Sequence, residues 1–516
     1  MPDNLYIFVN WACGAILCLI LILRIWPECV VSRLVASEKM KSLRLTMLIL
    51  ILGVTALEFF YTTLYEPMFL RAQKDDPTFE LHPDGQDGPK TPMKLPKSLD
   101  FAEYWLGSKD LAQGNNIYRD MAEYIYFKSK EHEAKGKPVS MSRYADYVPT
   151  SREGFDRLDR MAAENGIPVF PHFTYPPTWY LLFAPFTYLD WRDAHDLWLV
   201  ANLIFAAASV VFILLAVGYR PNSGEEILAL STLILGYSPL IFSLKECQAN
   251  SLVLLFVCLA LYLASRGRTV APGALIALGA ATKIFPGILI LYFLWKRKFK
   301  LAAWGFVFLV LIMLASVALG GWELNSWYFF NVAPTWAKNI RAFDMNQSVA
   351  GVIARSFVGG EGIEPILHLP RFGRALITLS QIVLFGILVW VTRGVSKRFD
   401  PRTWLEIGIV IVFYQLASTW VLIHHLQWLL VPFLLVWAMS FRGKSTLSPG
   451  LVSLFALSYL MTGVKYIYYR EAFRAGAMAL FASIKCFGML VLFVTLAVAI
   501  RRMRNGVGGS TEAGPA

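Results

Sequence analysis

Charge is scarce in this chain. Of its 516 residues, 16% are Asp, Glu, Lys or Arg and 56% are hydrophobic. A soluble protein of this length would carry about 25% charge, so a water-soluble globular fold is excluded and a polytopic membrane protein is expected. Cysteine is equally sparse. Cys13, Cys18, Cys29, Cys247, Cys258 and Cys486 show no C-x-x-C or metal-ligand spacing and read as packing residues. The sequence also lacks an Asp-x-Asp pair, a zincin helix, a nucleotide P-loop and a G-x-S-x-G elbow. Metal-held nucleotide-sugar chemistry, ATP-driven chemistry and serine hydrolysis therefore find no support. The net charge of +12 lies largely in short runs beside apolar segments. It reads as membrane topology, and nucleic acid is not expected as a partner.

Long apolar runs are abundant, and a spanning helix needs roughly 20 such residues. Residues 5–26 and 45–64 qualify, with Arg24, Arg33, Lys39, Lys41 and Arg44 between them. The first run has neither a basic n-region nor a cleavage site and reads as an anchor helix. Positive loops stay cytoplasmic, so the second run leads outward and residues from about 65 to 176 are exoplasmic. An interval this long is functional or disordered, not an idle connector. Within it, 71–97 reads as loop, and 99–135 and 151–165 as short helices on the membrane. The Pro-broken PPTWYLLFAPFTYL that follows reads as a partly inserted helix, extending the outer region to 193.

Residues 194–218, 226–243 and 251–266 then span, ending at Arg266 and Arg268. The run 272–295 holds Lys283 and Pro286 at its middle, with basic groups at both ends. That pattern favours two half-length helices entering from the cytoplasm and returning, with Lys283 near the outer side. The rival reading makes 272–295 one span and 177–190 another. Residues 301–320 lead out to a loop at 321–371, 372–392 return, 402–422 go out, 426–441 return, 448–464 go out and 476–500 return. An all-α fold with about 13 transmembrane helices results. Its parts are an anchor and basic loop (1–44), a core of about seven spans including the outer region 65–193 (45–320), the outer loop 321–371, C-terminal helices (372–504) and a Gly-rich tail at 505–516 read as disordered. No repeat of 20–50 residues and no inverted repeat of the transporter type is visible.

On this topology Asp100, the turn KECQAN at 245–250, Lys283, the loop DMNQS at 344–348 and His424–His425 share one membrane face. A lysine amid an apolar run is costly and by default functional, with phosphate as its natural ligand; snorkelling to an interface is the alternative. Asp100 could be a helix cap or a general base. Adjacent positions on a helix lie about 100° apart, so one of His424 and His425 faces such a site and the other does not. A neutral imidazole there donates one hydrogen bond. Tyr104, Trp105, Tyr118, Tyr175 and Trp179 suit either sugar stacking or the headgroup belt. Glu58, Glu406, Lys465 and Lys485 are intramembrane charges without an assigned role.

The run Ser98–Tyr118, SLDFAEYWLGSKDLAQGNNIY, carries a D-F-x-x-Y-[YW] and then a G-x-x-[IP]-Y pattern. With Y-P-P at 175–177, QAN at 248–250 and KIFP at 283–286, it resembles the GT-C integral-membrane glycosyltransferases, and among them family 87. The resemblance implies a GT-C core with an exoplasmic site and Asp100 as catalytic base. It implies Lys283, His424 and His425 on the donor phosphate, and Tyr104, Trp105, Tyr118, Tyr175, Gln248, Asn250, Asn346 and Gln347 on substrate. Cys247 stands where the family pattern has glycine. The implied reaction moves a hexose, expected to be mannose, with inversion from a polyprenyl-phosphate sugar to a glycolipid or cell-envelope glycan. It needs no cofactor or metal, because the lipid-linked sugar is itself a substrate. The expected location is the inner or plasma membrane, among its lipids. A polytopic transporter or lipid flippase without transferase activity is the alternative reading.

Overall fold

A lipid bilayer offers the peptide backbone no water, so its N–H and C=O groups must pair within the segment that carries them. Helices result here. The structure is a computed structural model that describes Gly14, Ile167, Ile340 and residues 38–65, 99–134, 148–165, 174–338, 342–360, 363–395, 398–441, 447–463 and 475–508. Among these residues the only strand-like pairings are isolated bridges, Gly360 with Ile363 and Glu364 with Ala475. The expected anchor at 5–26, the loop 71–97, Lys465 and the end of the tail lie outside the described residues.

In chain order the helices are α1 (Glu38–Phe60), α2 (Leu99–Ala112), α3 (Ile117–Ala134), α4 (Glu153–Glu164), α5 (Pro177–Phe183) and α6 (Trp191–Ala216). There follow α7 (Gly224–Leu235), α8 (Ser238–Lys245), α9 (Asn250–Ser265), α10 (Val270–Thr282), α11 (Gly287–Trp295) and α12 (Phe299–Trp327). The chain closes with α13 (Ala333–Lys338), α14 (Val349–Phe357), α15 (Pro370–Val391), α16 (Pro401–Ala417), α17 (Leu430–Phe441), α18 (Pro449–Gly463) and α19 (Ile484–Gly508). Six helical segments are long and apolar enough to cross a membrane, or seven if the pair α7–α8, bent by 54°, is one span. Three shorter apolar helices, α9, α10 and α18, accompany them. Length and composition among the described residues thus give fewer spans than the expected thirteen. The protein is an all-α integral membrane protein.

Helices α2, α3 and α4 are tied together by charge and rings. Arg157 of α4 donates to Asp110 of α2 (3.0 Å) and to Asp120 of α3. Tyr124 of α3 stacks on Phe155 of α4 at 5.2 Å. Below them Phe101, Tyr104 and Trp105 of α2 are fully buried against Trp179 and Phe183 of α5 and Trp198 of α6. The second, larger core runs through α9, α16, α17, α18 and α19. Within it α17 is buried nearly all round, as expected of a helix apolar on every face. In contrast, α12 and α15 present many exposed apolar side chains.

The run 272–295 folds back on itself. Helix α10 stops at Lys283, which has extended backbone (φ −139°, ψ 128°), and α11 starts after Pro286. A Cβ on Gly273 would lie 2.8 Å from the Gly305 nitrogen, and one on Gly305 would lie 3.0 Å from Ile290 Cγ1. Gly273 and Ile290 therefore flank the same level of α12. In one continuous helix they would be separated by about 25 Å at 1.5 Å per residue. The two helices form a hairpin with Lys283 at its tip.

Candidate active site

Helix α2 carries Asp100, Glu103 and Tyr104 three and four residues apart, hence on one face. The Gln248 side-chain amide donates to Asp100 Oδ2. Its own oxygen accepts from Lys283 Nζ (2.9 Å) and Tyr175 OH (2.7 Å), and Tyr104 OH lies 3.0 Å away. Lys283 also donates to Asn250 Oδ1 at 2.6 Å. Asn250 in turn donates to Ser243 Oγ (3.2 Å) and to the His424 carbonyl (3.0 Å). A single polar chain thus runs from Asp100 through Gln248 and Lys283 to Asn250. The ammonium lies 5.0 Å from the Tyr175 ring centre and 5.9 Å from that of Trp428.

Local sequence explains these placements. Between α8 and α9 the chain turns sharply, with Cys247 in the left-handed region (φ 49°) and Gln248 N–H bonded to the Ser243 carbonyl. That turn puts Gln248 and Asn250 on the same side. Pro286 forbids a continuous helix after Lys283. Phe285 next to it is anchored by stacking on Trp428 at 4.1 Å. Asp100 lies inside the first turn of α2 and accepts from Gln248, not from its own helix, so capping is not its role. Part of Asp100 remains open, while burial of its carboxyl raises the pKa. The Gln248 hydrogen bond and the Lys283 charge pull the other way.

The two histidines have different partners. His425 Nδ1 accepts the Leu422 N–H (3.1 Å), which leaves the proton on Nε2 as a donor, and that nitrogen has no partner among the described residues. His424 is buried, stacks on Phe242 and leaves Nδ1 without a partner. Asn346 and Gln347 are wholly buried, their amide nitrogens donate to backbone carbonyls, and Gln347 Oε1 has no partner among the described residues. Asn346 bonds Thr419 O and Val421 N, and Gln347 bonds Asp344 O and Ala482 O. They shape the loop next to the histidines. Trp105 lies away from the chain of polar groups, under Lys109 (4.0 Å) and beside Trp191. Tyr118 donates to the Tyr175 carbonyl (2.6 Å) and so fixes Tyr175.

Sequence reasoning missed Glu103. Its Oε1 accepts from Thr174 N–H (2.7 Å) and Tyr180 OH (2.9 Å), and burial pushes its carboxyl up to about 8. The available signal was its position one turn beyond Asp100. Also missed was the pair behind Gln248, in which Cys247 Sγ lies 3.0 Å from His195 Nε2. No local pattern joins residues so distant in sequence.

Residues 173–419 match Glycosyltransferase family 87. The match takes in somewhat less than half of the chain. It holds Tyr175, Gln248, Asn250, Lys283, Asn346 and Gln347, whereas Asp100 precedes the family 87 match and His424 and His425 follow it. Two curated relatives share one name, polyprenol-phosphate-mannose-dependent alpha-(1-2)-phosphatidylinositol mannoside mannosyltransferase. The one from Mycobacterium tuberculosis is 25% identical over 285 residues, covering 53% of this chain and 64% of its own length. The one from Mycolicibacterium smegmatis is 23% identical over 292 residues, covering 53% of this chain and 63% of its own. The chain therefore spans somewhat under two thirds of the length of these relatives. No solved structure matches it.

Proposed function

We propose that this protein transfers a hexose, mannose, from a polyprenyl-phosphate donor to a glycolipid on the exoplasmic side of the cell membrane. The observation that carries this reading is the link from the Asp100 carboxylate through Gln248 to the Lys283 ammonium. A base and a cation so joined suit the two ends of an inverting displacement. The acceptor oxygen bonds the anomeric carbon and gives its proton to Asp100, while the bond from that carbon to the phosphate oxygen breaks and the phosphate leaves with the electron pair. Lys283 and the His425 Nε2–H would stabilise the charge that builds on the phosphate. The buried rings Tyr104 and Tyr175 would wall the sugar. The acceptor class follows the relatives' names, whose phosphatidylinositol mannoside is a glycolipid.

The test is incubation of the purified protein with radiolabelled polyprenyl-phosphate mannose and a membrane lipid extract. A labelled product of shifted mobility is expected, and general-base catalysis is worth about 10²–10⁴-fold, so Asp100→Asn should lower its formation by that factor. A folded wild-type protein that labels no lipid, or an Asn variant within about threefold of it, overturns the proposal.

A further inference from the structure

At the opposite end of the helices from Asp100, a cavity of about 840 Å³ opens between the C-terminal ends of α6, α9 and α17, the N-terminal ends of α12 and α16, and both ends of the α10–α11 hairpin. Six cations line it, Arg266, Arg268, Arg297, Lys298, Lys300 and Arg398, and no carboxylate does. Arg266, Arg268, Arg297 and Lys300 form no ion pair with any described residue. The carboxylates close by in sequence are engaged: Asp400 caps α16 through Thr403 N–H (2.7 Å), and Glu406 is held by Lys296 (2.7 Å) and Arg402 (2.9 Å). Between the cations the wall is apolar, with Leu215, Val217, Leu301, Phe399 and Trp404.

Cations at span ends orient a membrane protein, and at helix C-termini they complement the dipole. Neither role requires them to converge. Here they come from three separate connections and meet at one cavity with an apolar floor. Arg297 adds a second sign. It sits in the left-handed conformation (φ 56°) that ends α11, with its N–H on Leu294 O (3.0 Å) and Lys298 N–H on Phe293 O (2.8 Å). Glycine is the ordinary residue in such a cap, as at Gly267 beyond α9 (φ 79°). The chain keeps an arginine where glycine would be unstrained.

We infer that this cavity binds the phosphate headgroup of an anionic glycerophospholipid, the cations holding the phosphodiester and the apolar wall the glycerol and first methylenes. Basic pockets between membrane helices take such headgroups. The site is distinct from Lys283, which α10 places about 20 Å away along its axis. A lipid seated here would touch both ends of the hairpin whose tip carries Lys283.

The full-length protein, purified in neutral detergent, is titrated with phosphatidylglycerol and with phosphatidylcholine of the same acyl chains, and binding is read by native mass spectrometry. Wild type should prefer phosphatidylglycerol at least about tenfold. The triple variant Arg266→Gln, Arg268→Gln, Lys300→Gln should lose most of that preference, at roughly fivefold per cation or about 100-fold in phosphatidylglycerol affinity. The charge-keeping variant Arg266→Lys, Arg268→Lys, Lys300→Arg should bind within about fivefold of wild type, and its thermal unfolding reports that the fold survives. Equal binding of both lipids by wild type, or an unchanged preference in the Gln variant, reduces these cations to topology signals and overturns the proposal. Displacement of the lipid by millimolar inorganic phosphate would mark a free-anion site and overturn the lipid assignment.

Discussion

Gln248 is the residue on which the two charges of the candidate site depend. Its amide N–H₂ faces Asp100 and its oxygen faces Lys283, so one planar group reads a carboxylate on one side and an ammonium on the other. A base must be ionised to accept a proton, and burial raises the Asp100 pKa whereas the Gln248 hydrogen bond lowers it. Transfer should therefore fall as pH drops, on an acid limb above the ordinary range of an aspartate. Replacing Gln248 by Leu removes the bond that favours the ionised form and leaves burial less opposed. The acid limb of the pH–rate profile should then move to higher pH, while activity on the alkaline side changes less. A limb at the wild-type position would show that the amide does not tune the carboxyl. The types and the shared face of Asp100, Gln248, Asn250 and Lys283 are legible in the sequence, because alternation of basic loops and the cost of a membrane lysine act locally. The use of each is not. Asn346 and Gln347 read as polar loop residues facing a ligand, and their amide nitrogens prove to be held by backbone carbonyls, some of them distant in sequence. His195 and Cys247 read as unrelated residues, yet they touch.

At the scale of the element, the α10–α11 hairpin presents Lys283 and must hold its place. Its base is fixed by a fully buried charge group in which Lys296, at the end of α11, meets Glu406 of α16 at 2.7 Å and the carbonyls of Thr392 and Gly394. Arg402 meets the same carboxylate at 2.9 Å. Sequence reasoning found in Glu406 only an unexplained intramembrane acid, since its partner lies on another helix. Neutralising Glu406 leaves Lys296 buried without compensation, and breaking a buried pair costs about 3–5 kcal/mol. Glu406→Gln should thus lower the thermal midpoint markedly. The double change Lys296→Met, Glu406→Leu should recover much of the loss, because apolar residues of similar volume can replace a buried pair. A Gln variant as stable as wild type would deny the brace. At the tip, Lys283→Ala should reduce transfer strongly while Lys283→Arg keeps part of it, since arginine retains the charge but not the shape. Normal transfer by the Ala variant would remove Lys283 from the reaction.

Over the whole molecule, helices alternate between an end that carries Asp100, Gln248 and Lys283 and an end that carries the basic cavity. The basic loops made that alternation readable, while helix length among the described residues counts fewer spans than the apolar runs do, for a physical reason. Helices such as α9 and α18 are buried by their neighbours and not by lipid alone, so they need not match the bilayer in length, and α7 and α8 meet at a bend of 54°. Alternation makes a prediction that does not depend on catalysis. Ala337 follows α12 on the Asp100 end, and Arg393 follows α15 on the basic end; both are exposed. With the native cysteines replaced, Ala337→Cys in intact cells should react with a membrane-impermeant thiol reagent applied from outside. Arg393→Cys should react only after the membrane is permeabilised. Positive loops are retained in the cytoplasm, which sets the sign of this expectation. If the pattern is reversed, the candidate site faces the cytoplasm, where nucleotide-sugar donors are present, and the case for an exoplasmic lipid-linked donor fails with it. If both positions react from outside, the two ends are not on opposite faces, and the shared-face argument that joins Asp100 to Lys283 and His425 loses its membrane frame.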